Sequence, residues 1–67
     1  MRNKIEKLLD EHGMSIDQLA VKINVDTDDL NYCLNRPDEF DYILPGKKHE
    51  IAMFFSLTPG ELMNEYL

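Results

Sequence analysis

The chain has 67 residues, with 13 acidic and 7 basic side chains and a formal net charge of −6 at pH 7. This length predicts one domain with one modest core, and the negative charge is the opposite of what a typical nucleic-acid-binding domain carries. The single cysteine excludes an internal disulfide, and the lack of a long apolar run or signal-peptide pattern predicts a cytoplasmic protein that does not span a membrane.

The first predicted element is an amphipathic helix over residues 2–12. Ile5, Leu8 and Leu9 recur at helical spacing and form its apolar stripe, while charged side chains occupy the other face. Gly13 follows directly, and glycine is the usual residue just beyond a helix end because it adopts the left-handed conformation without strain. The pattern therefore predicts a surface helix that ends before Gly13.

Two short helices joined by a tight turn are predicted between Met14 and Asn35. Ser15 and Gln18 have the spacing of a capping box for the first helix, and Asn24 tolerates the left-handed conformation expected at its end. Asp26 is expected to cap the second helix. This layout is that of a helix-turn-helix, whose second helix normally enters the DNA major groove.

The segment 36–46 is predicted to be a packed loop. Pro37 and the Pro45-Gly46 pair interrupt a helix at its two ends. The segment is too apolar for a solvated linker, so we expect some of its large side chains to pack against the core. The apolar side chains of the segment are Phe40, Tyr42, Ile43 and Leu44.

Two further helices complete the predicted fold. The fourth helix is expected from Lys47 to Phe55, and the fifth begins with a capping box formed by Thr58 and Glu61 around Pro59. Apolar residues near the chain end either complete the core or face a second copy in a homodimer. These residues are Leu62, Met63, Tyr66 and Leu67.

The sequence thus predicts one all-α domain over residues 1–67, with about five helices and no sheet. Apolar side chains at helical spacing in these segments predict its core. The predicted core residues are Leu8, Leu9, Leu19, Ala20, Ile23, Leu30, Leu34, Ile51, Ala52, Phe55 and Leu62. Ile51, Ala52, Phe54 and Phe55 are the core candidates of the fourth helix.

The order of these motifs resembles the Cro/phage-repressor family, also called XRE-type or lambda-repressor-like. The resemblance lies in the Leu19-Ala20 pair, the turn Ile23-Asn24-Val25, the capped helix from Asp26 and the closing stretch Glu50–Met63. It covers nearly the whole chain. It implies a compact five-helix lambda-repressor-like fold and, by default, binding of operator DNA.

The resemblance also implies which residues of such a domain would contact DNA. The positions that contact base edges in the family match Thr27, Asp28 and Tyr32 here. The positions that contact phosphates match Ser15 and Asn35. The whole candidate recognition face, for protein or DNA, comprises Thr27, Asp28, Asp29, Asn31, Tyr32, Asp38, Glu39 and Asp41. The candidate phosphate contacts are Ser15, Asn35, Arg36, Lys47 and Lys48. The lysine pair is alternatively a solvated pair beside acidic neighbours.

The charge of this region conflicts with operator binding. Between Asp26 and Asp41 there are six acidic residues and one base, Arg36. Acids in the first turn favour a helix, which accounts for three of the six but not for Asp38, Glu39 and Asp41. Operator affinity draws heavily on phosphate neutralisation, so the region would repel the DNA backbone.

Two function classes therefore stay open. The first is a small phage- or mobile-element-type regulator whose acidic face contacts a basic protein surface, such as a repressor or a nuclease, as in antirepressors, modulators and anti-CRISPR-like inhibitors. The second is a sequence-specific operator-binding regulator. An enzyme is not expected, because no nucleophile–base pair, phosphate loop, metal site or cofactor motif is visible, and His12 and His49 stand alone.

Overall fold

The computed structural model describes residues 4–67, and within this range the chain forms helices and turns without strands. Arg2 and Asn3, which the sequence assigns to the first helix, lie outside the described residues. The helices are α1 Lys4–Glu11, α2 Ile16–Lys22, α3 Thr27–Asn35, a 3₁₀ helix Pro37–Glu39, α4 Phe40–Ile43, α5 Lys47–Phe54 and α6 Pro59–Glu61, which continues as a π-helical turn Leu62–Tyr66.

The all-α prediction is confirmed, but the segment 36–46 is not the loop that the sequence predicts. It holds the 3₁₀ helix and α4, so the described residues contain six α-helical segments where about five were expected. Phe40 and Leu44 are four residues apart and both buried, and the Leu44 N–H donates to the Phe40 carbonyl oxygen at 2.8 Å. One helical turn places both side chains in the core, which explains the extra helix.

Side-chain caps begin three of the helices as the sequence predicts. The Ser15 hydroxyl accepts from the Gln18 N–H at 3.1 Å, and the Gln18 side chain accepts from the Ser15 N–H in return. Thr58 and Glu61 repeat this capping box at α6. The Asp26 carboxylate accepts from the first turn of α3. These bonds satisfy backbone donors that a helix start leaves without partners.

Three helices end in the same Schellman motif. The second residue beyond each helix end has a positive φ: 65° at Gly13, 59° at Asn24 and 59° at Ser56. The next N–H then donates to a carbonyl oxygen five residues earlier. These bonds run from Met14 to Leu9 at 2.9 Å, from Val25 to Ala20 at 2.9 Å and from Leu57 to Ala52 at 2.8 Å. The predicted roles of Gly13 and Asn24 are confirmed, and Ser56 was not foreseen.

All eleven predicted core residues are buried. The buried set of the described residues is Ile5, Leu8, Leu9, Leu19, Ala20, Ile23, Leu30, Cys33, Leu34, Phe40, Leu44, Ile51, Ala52, Phe55 and Leu62. The prediction that Phe54 belongs to the core is wrong, because this residue is 44% exposed. α5 ends at Phe54, and the next residue, Phe55, is buried in the core. Its ring meets the His12 ring edge-on, with the two ring centres 4.8 Å apart.

The chain end completes the core. Leu62 is fully buried, Tyr66 and Leu67 pack partly against the core, and Met63 is 37% exposed. The π-helical turn lies against α1, which places these side chains beside the apolar stripe of the first helix. A homodimer through this end stays a prediction. None of the helices in residues 4–67 combines the length and apolar character needed to cross a bilayer.

Candidate functional site

One side of α3 faces outward along its whole length. Asp28, Asn31, Tyr32 and Asn35 are exposed and follow the spacing of a single helical face, opposite the buried Leu30, Cys33 and Leu34. We call these four exposed residues the outer stripe of α3. Thr27, at the helix start, is only half-buried. The outer stripe therefore contains three of the residues that the sequence assigns to a recognition face, together with Asn35.

The acids at the start of α3 have a structural role through the backbone. The Asp26 carboxylate accepts from the Asp28 N–H at 2.8 Å and from the Asp29 N–H at 3.3 Å. The carboxylates of Asp28 and Asp29 themselves form no ion pair with any residue from 4 to 67. Their negative charge, which favours the helix start, is thus still available to a partner.

The segment after α3 brings further acids to its flank. The 3₁₀ helix and α4, which carry Asp38, Glu39 and Asp41, pack against α3. Burial raises the pKa of the Cys33 thiol, and the carboxylates of Asp29 and Glu39 raise it further. The Cys33 thiol on the buried side of α3 is therefore sensitive to the charge of both Asp29 on α3 and Glu39 on the 3₁₀ helix.

We define the acidic surface as the outer stripe of α3 together with the acids on this flank. The flanking members are Asp29, Asp38, Glu39 and Asp41. The acidic surface defined in this way includes every predicted recognition residue except Thr27, which is half-buried.

The lysines predicted to hold phosphate are engaged within the chain. The Lys47 ammonium donates to the Ile23 carbonyl oxygen at 2.9 Å and pairs with Glu50 at 3.1 Å. The Lys48 ammonium lies 3.6 Å from the Asp41 carboxylate. Both lysines lie beside acidic residues, but their side chains are only 23% and 24% exposed, so they are less solvated than the alternative expects.

Arg36 is the remaining base of the region, and it is exposed. Its guanidinium lies 5.6 Å from the centre of the Tyr32 ring, within the range of a cation–π contact. The pair places an aromatic side chain and a positive charge at the end of the outer stripe.

Acids surround another predicted phosphate contact, Ser15. A depression of about 290 Å³ beside it is also lined by Glu6, Asp10 and Asp17. The depression beside Ser15 is thus lined by acidic side chains and no basic ones, which does not favour a phosphate there. The sequence does not predict this set, because Glu6 and Asp10 come from α1, although their spacing of four residues places them on one helix face.

Asn35, the other residue matched to a phosphate contact, uses its side-chain amide to donate to the Asn31 carbonyl oxygen at 3.0 Å. Within residues 4–67, His, Cys, Asp and Glu side chains form no group of three or more that could hold a metal ion.

No protein family, curated protein or solved structure matches the chain. The resemblance to the Cro/phage-repressor family therefore rests on the motif order alone.

Proposed function

We propose that this chain is a small regulator of the phage- or mobile-element type, with a lambda-repressor-like helix-turn-helix formed by α2 and α3. Its acidic surface binds a basic surface on another protein. Partners of suitable chemistry are the DNA-binding face of a repressor and the nucleic-acid channel of a nuclease. The chain would then act as an antirepressor, a modulator or an anti-CRISPR-like inhibitor.

One observation carries this proposal. Asp28, Asp29, Asp38 and Glu39 have no ion-pair partner within residues 4–67, whereas Lys47 and Lys48 are both held by groups of the chain itself. The surface where a DNA-binding relative would need positive charge is thus negative and uncompensated. Such a surface attracts a basic partner over a distance of about 8 Å at physiological salt and repels phosphate.

The other side chains of this region suit a protein interface. Tyr32 is 44% exposed and Tyr42, on α4, is 84% exposed. Tyrosine and arginine are enriched among residues that dominate binding energy in protein interfaces. Tyr32 with Arg36, and Tyr42 on the neighbouring α4, therefore offer exposed contact area in addition to the carboxylates, which by themselves mainly accelerate association.

Operator binding is the alternative, and one observation favours it. The outer stripe of α3 holds two exposed asparagines, Asn31 and Asn35, and asparagine can read adenine through two hydrogen bonds in the major groove. Asp28 could accept a hydrogen bond from a cytosine N4 amine. This function requires the stripe to approach the phosphates despite the acids around it.

Site-specific crosslinking in living cells distinguishes the two functions. Asn31 lies in the middle of the outer stripe and is replaced by a photoreactive amino acid in the full chain. If the proposal is correct, illumination yields an adduct with a basic protein, identified by mass spectrometry. Addition of Asp28→Lys and Asp29→Lys should abolish this adduct, because attraction to the partner becomes repulsion.

A matched control reverses the same amount of charge elsewhere. Glu11→Lys and Glu65→Lys alter two acids that line a depression between α1 and the chain end, away from the outer stripe. This pair should leave the adduct intact. Adducts with DNA in place of protein would contradict the proposal and support operator binding. A protein adduct that survives the reversal of Asp28 and Asp29 would also contradict it.

A further inference from the structure

Tyr42 is the most exposed large hydrophobic residue in residues 4–67. It is 84% exposed, although Phe40 and Leu44 on either side of it hold α4 on the core. Its side chain forms no hydrogen bond or ring contact with another residue of this range. A single exposed aromatic side chain is common on protein surfaces, so the surroundings of the ring decide what it binds.

Two acidic residues lie beside Tyr42 in this segment. Asp38 precedes Tyr42 by four residues, and the 3₁₀ helix runs directly into α4, so both side chains lie opposite the buried Phe40. Asp41 is the next residue along the chain, and its side chain is 75% exposed despite the ion pair with Lys48. A cation on the Tyr42 ring would therefore be attracted by these carboxylates as well.

The chain itself shows how this region holds a guanidinium group. Arg36 forms no ion pair with a carboxylate of residues 4–67, and its guanidinium lies over the Tyr32 ring instead. Lys47 and Lys48 differ, because each of them pairs with a carboxylate. This difference follows from the side chains, since a guanidinium is planar and weakly hydrated and stacks on aromatic rings, whereas an ammonium is compact and strongly hydrated.

We propose that Tyr42 selects arginine on the partner, with a guanidinium of the partner lying on its ring. This inference rests on the proposed function, because the partner is the basic protein that the acidic surface binds. A guanidinium on the ring keeps N–H groups at its edge, which donate to the carboxylates of Asp38 and Asp41. The acids attract any cation, and the ring distinguishes arginine from lysine. The partner is therefore a protein whose nucleic-acid-binding surface presents arginine to α4.

Two labelled peptides of equal length and charge, one of arginines and one of lysines, serve as probes. Fluorescence anisotropy at low salt gives the affinity of the full chain for each, and the ratio of the two affinities removes the general attraction of acids for cations. Tyr42→Leu should lower the preference for the arginine peptide by about two- to fivefold, the size expected for an exposed cation–π contact. The high exposure of Tyr42 means that the fold tolerates this change.

Two further variants serve as controls. Tyr42→Phe keeps the ring and should keep the preference for arginine. Phe54→Leu also removes an exposed ring, but from a depression beside α2 that no residue of the acidic surface lines, and it should leave the preference unchanged.

Three results overturn the inference and leave the proposed function in place. They are an unchanged ratio in Tyr42→Leu, an equal fall in Phe54→Leu, and a loss of the preference in Tyr42→Phe. A parent that binds neither peptide contradicts the proposed function as well, because the acidic surface then attracts no cation.

Discussion

The ammonium of Lys47 donates to the carbonyl oxygen of Ile23 at 2.9 Å, although the two residues are 24 positions apart in sequence. Ile23 is the C-cap residue of α2, where carbonyl oxygens lack partners within the helix and the helix dipole is negative. The contact explains a lysine at the start of α5, where the dipole of that helix alone would disfavour it. It also ties α5 to the turn between α2 and α3.

Replacement of Lys47 tests whether its hydrogen bond to Ile23 stabilises the fold. Lys47→Met should lower the free energy of unfolding by about 1–2 kcal/mol, because a partly buried carbonyl oxygen loses a charged donor. Lys48→Met is the matched control and should change it by less than about 0.5 kcal/mol, because its partner Asp41 is 75% exposed. Urea denaturation of both variants gives their free energies of unfolding. Equal losses would mean that the hydrogen bond from Lys47 to Ile23 adds no stability beyond that of a surface ion pair.

The centre of the core is tested at Leu19, which is fully buried. Leu19→Ala should lower the free energy of unfolding by roughly 2–5 kcal/mol through loss of apolar contact and formation of a cavity. Small domains hold only about 5–15 kcal/mol in total, so the variant should show a large loss of thermal stability by circular dichroism. A loss below about 1 kcal/mol would contradict the position of Leu19 in the core.

The left-handed residue after α5 is a serine, and replacing it with glycine should make the fold more stable. Ser56 has a φ of 59°, a conformation in which a β-carbon costs roughly 1–2 kcal/mol. Ser56→Gly should therefore raise the free energy of unfolding by about 0.5–1 kcal/mol, after the greater freedom of glycine in the unfolded chain is subtracted. Ser56→Ala keeps the β-carbon and should bring no gain. A loss of stability in the glycine variant would contradict the conformation of Ser56.

The buried thiol makes stability depend on pH in the alkaline range. The pKa of Cys33 is raised in the folded chain by burial and by the carboxylates of Asp29 and Glu39. The folded state therefore holds the thiol proton more tightly than the unfolded state, whose thiol pKa is about 8.5. The stability from this difference is complete below that value and is lost as pH rises through the folded-state pKa.

Cys33→Ala removes this contribution and serves as the reference. Urea unfolding at about pH 7 and about pH 10 should show a larger loss of stability at the higher pH for the parent than for the variant. The comparison between the two chains separates the contribution of this thiol from every other effect of alkaline pH, which both chains share. The same pH dependence in both chains would contradict the assignment to Cys33.

The charge of the acidic surface predicts weak binding to DNA. At about 0.15 M salt the parent should bind random duplex DNA weakly and with little salt dependence, because few phosphates are neutralised. Asp28→Lys with Asp29→Lys should bind the same DNA more tightly and with a steeper salt dependence. Fluorescence anisotropy at several salt concentrations measures both quantities, with circular dichroism as a check of folding. A parent whose salt dependence corresponds to about six or more phosphate contacts would favour operator binding.

The parts of the fold that depend on neighbouring residues could be predicted from the sequence. The caps at Ser15, Asp26 and Thr58 and the left-handed residue Asn24 follow from local backbone chemistry, and all are present. The spacing of Phe40 and Leu44 favours a helical turn for α4, whereas the flanking Pro37 and Pro45 favour a loop. The choice between the adjacent Phe54 and Phe55 depends on where α5 ends.

The parts that depend on distant residues could not be predicted. The contact between Lys47 and Ile23 requires the relative positions of α2 and α5, which periodicity does not contain. The acids around Ser15 similarly require α1 to pack beside the start of α2. The charge of the acidic surface was visible in the sequence, whereas the contacts of Lys47 with Ile23 and of Lys48 with Asp41 depend on how α5 packs.

The Schellman ends and side-chain caps have a consequence for how fast the chain folds. Each of these contacts joins residues no more than five positions apart, so these helix boundaries do not depend on tertiary contacts. Small helical domains dominated by local contacts fold within microseconds to milliseconds. The bond from Lys47 to Ile23 spans 24 positions and closes only when α5 docks. Its loss should accelerate unfolding and leave the folding rate nearly unchanged.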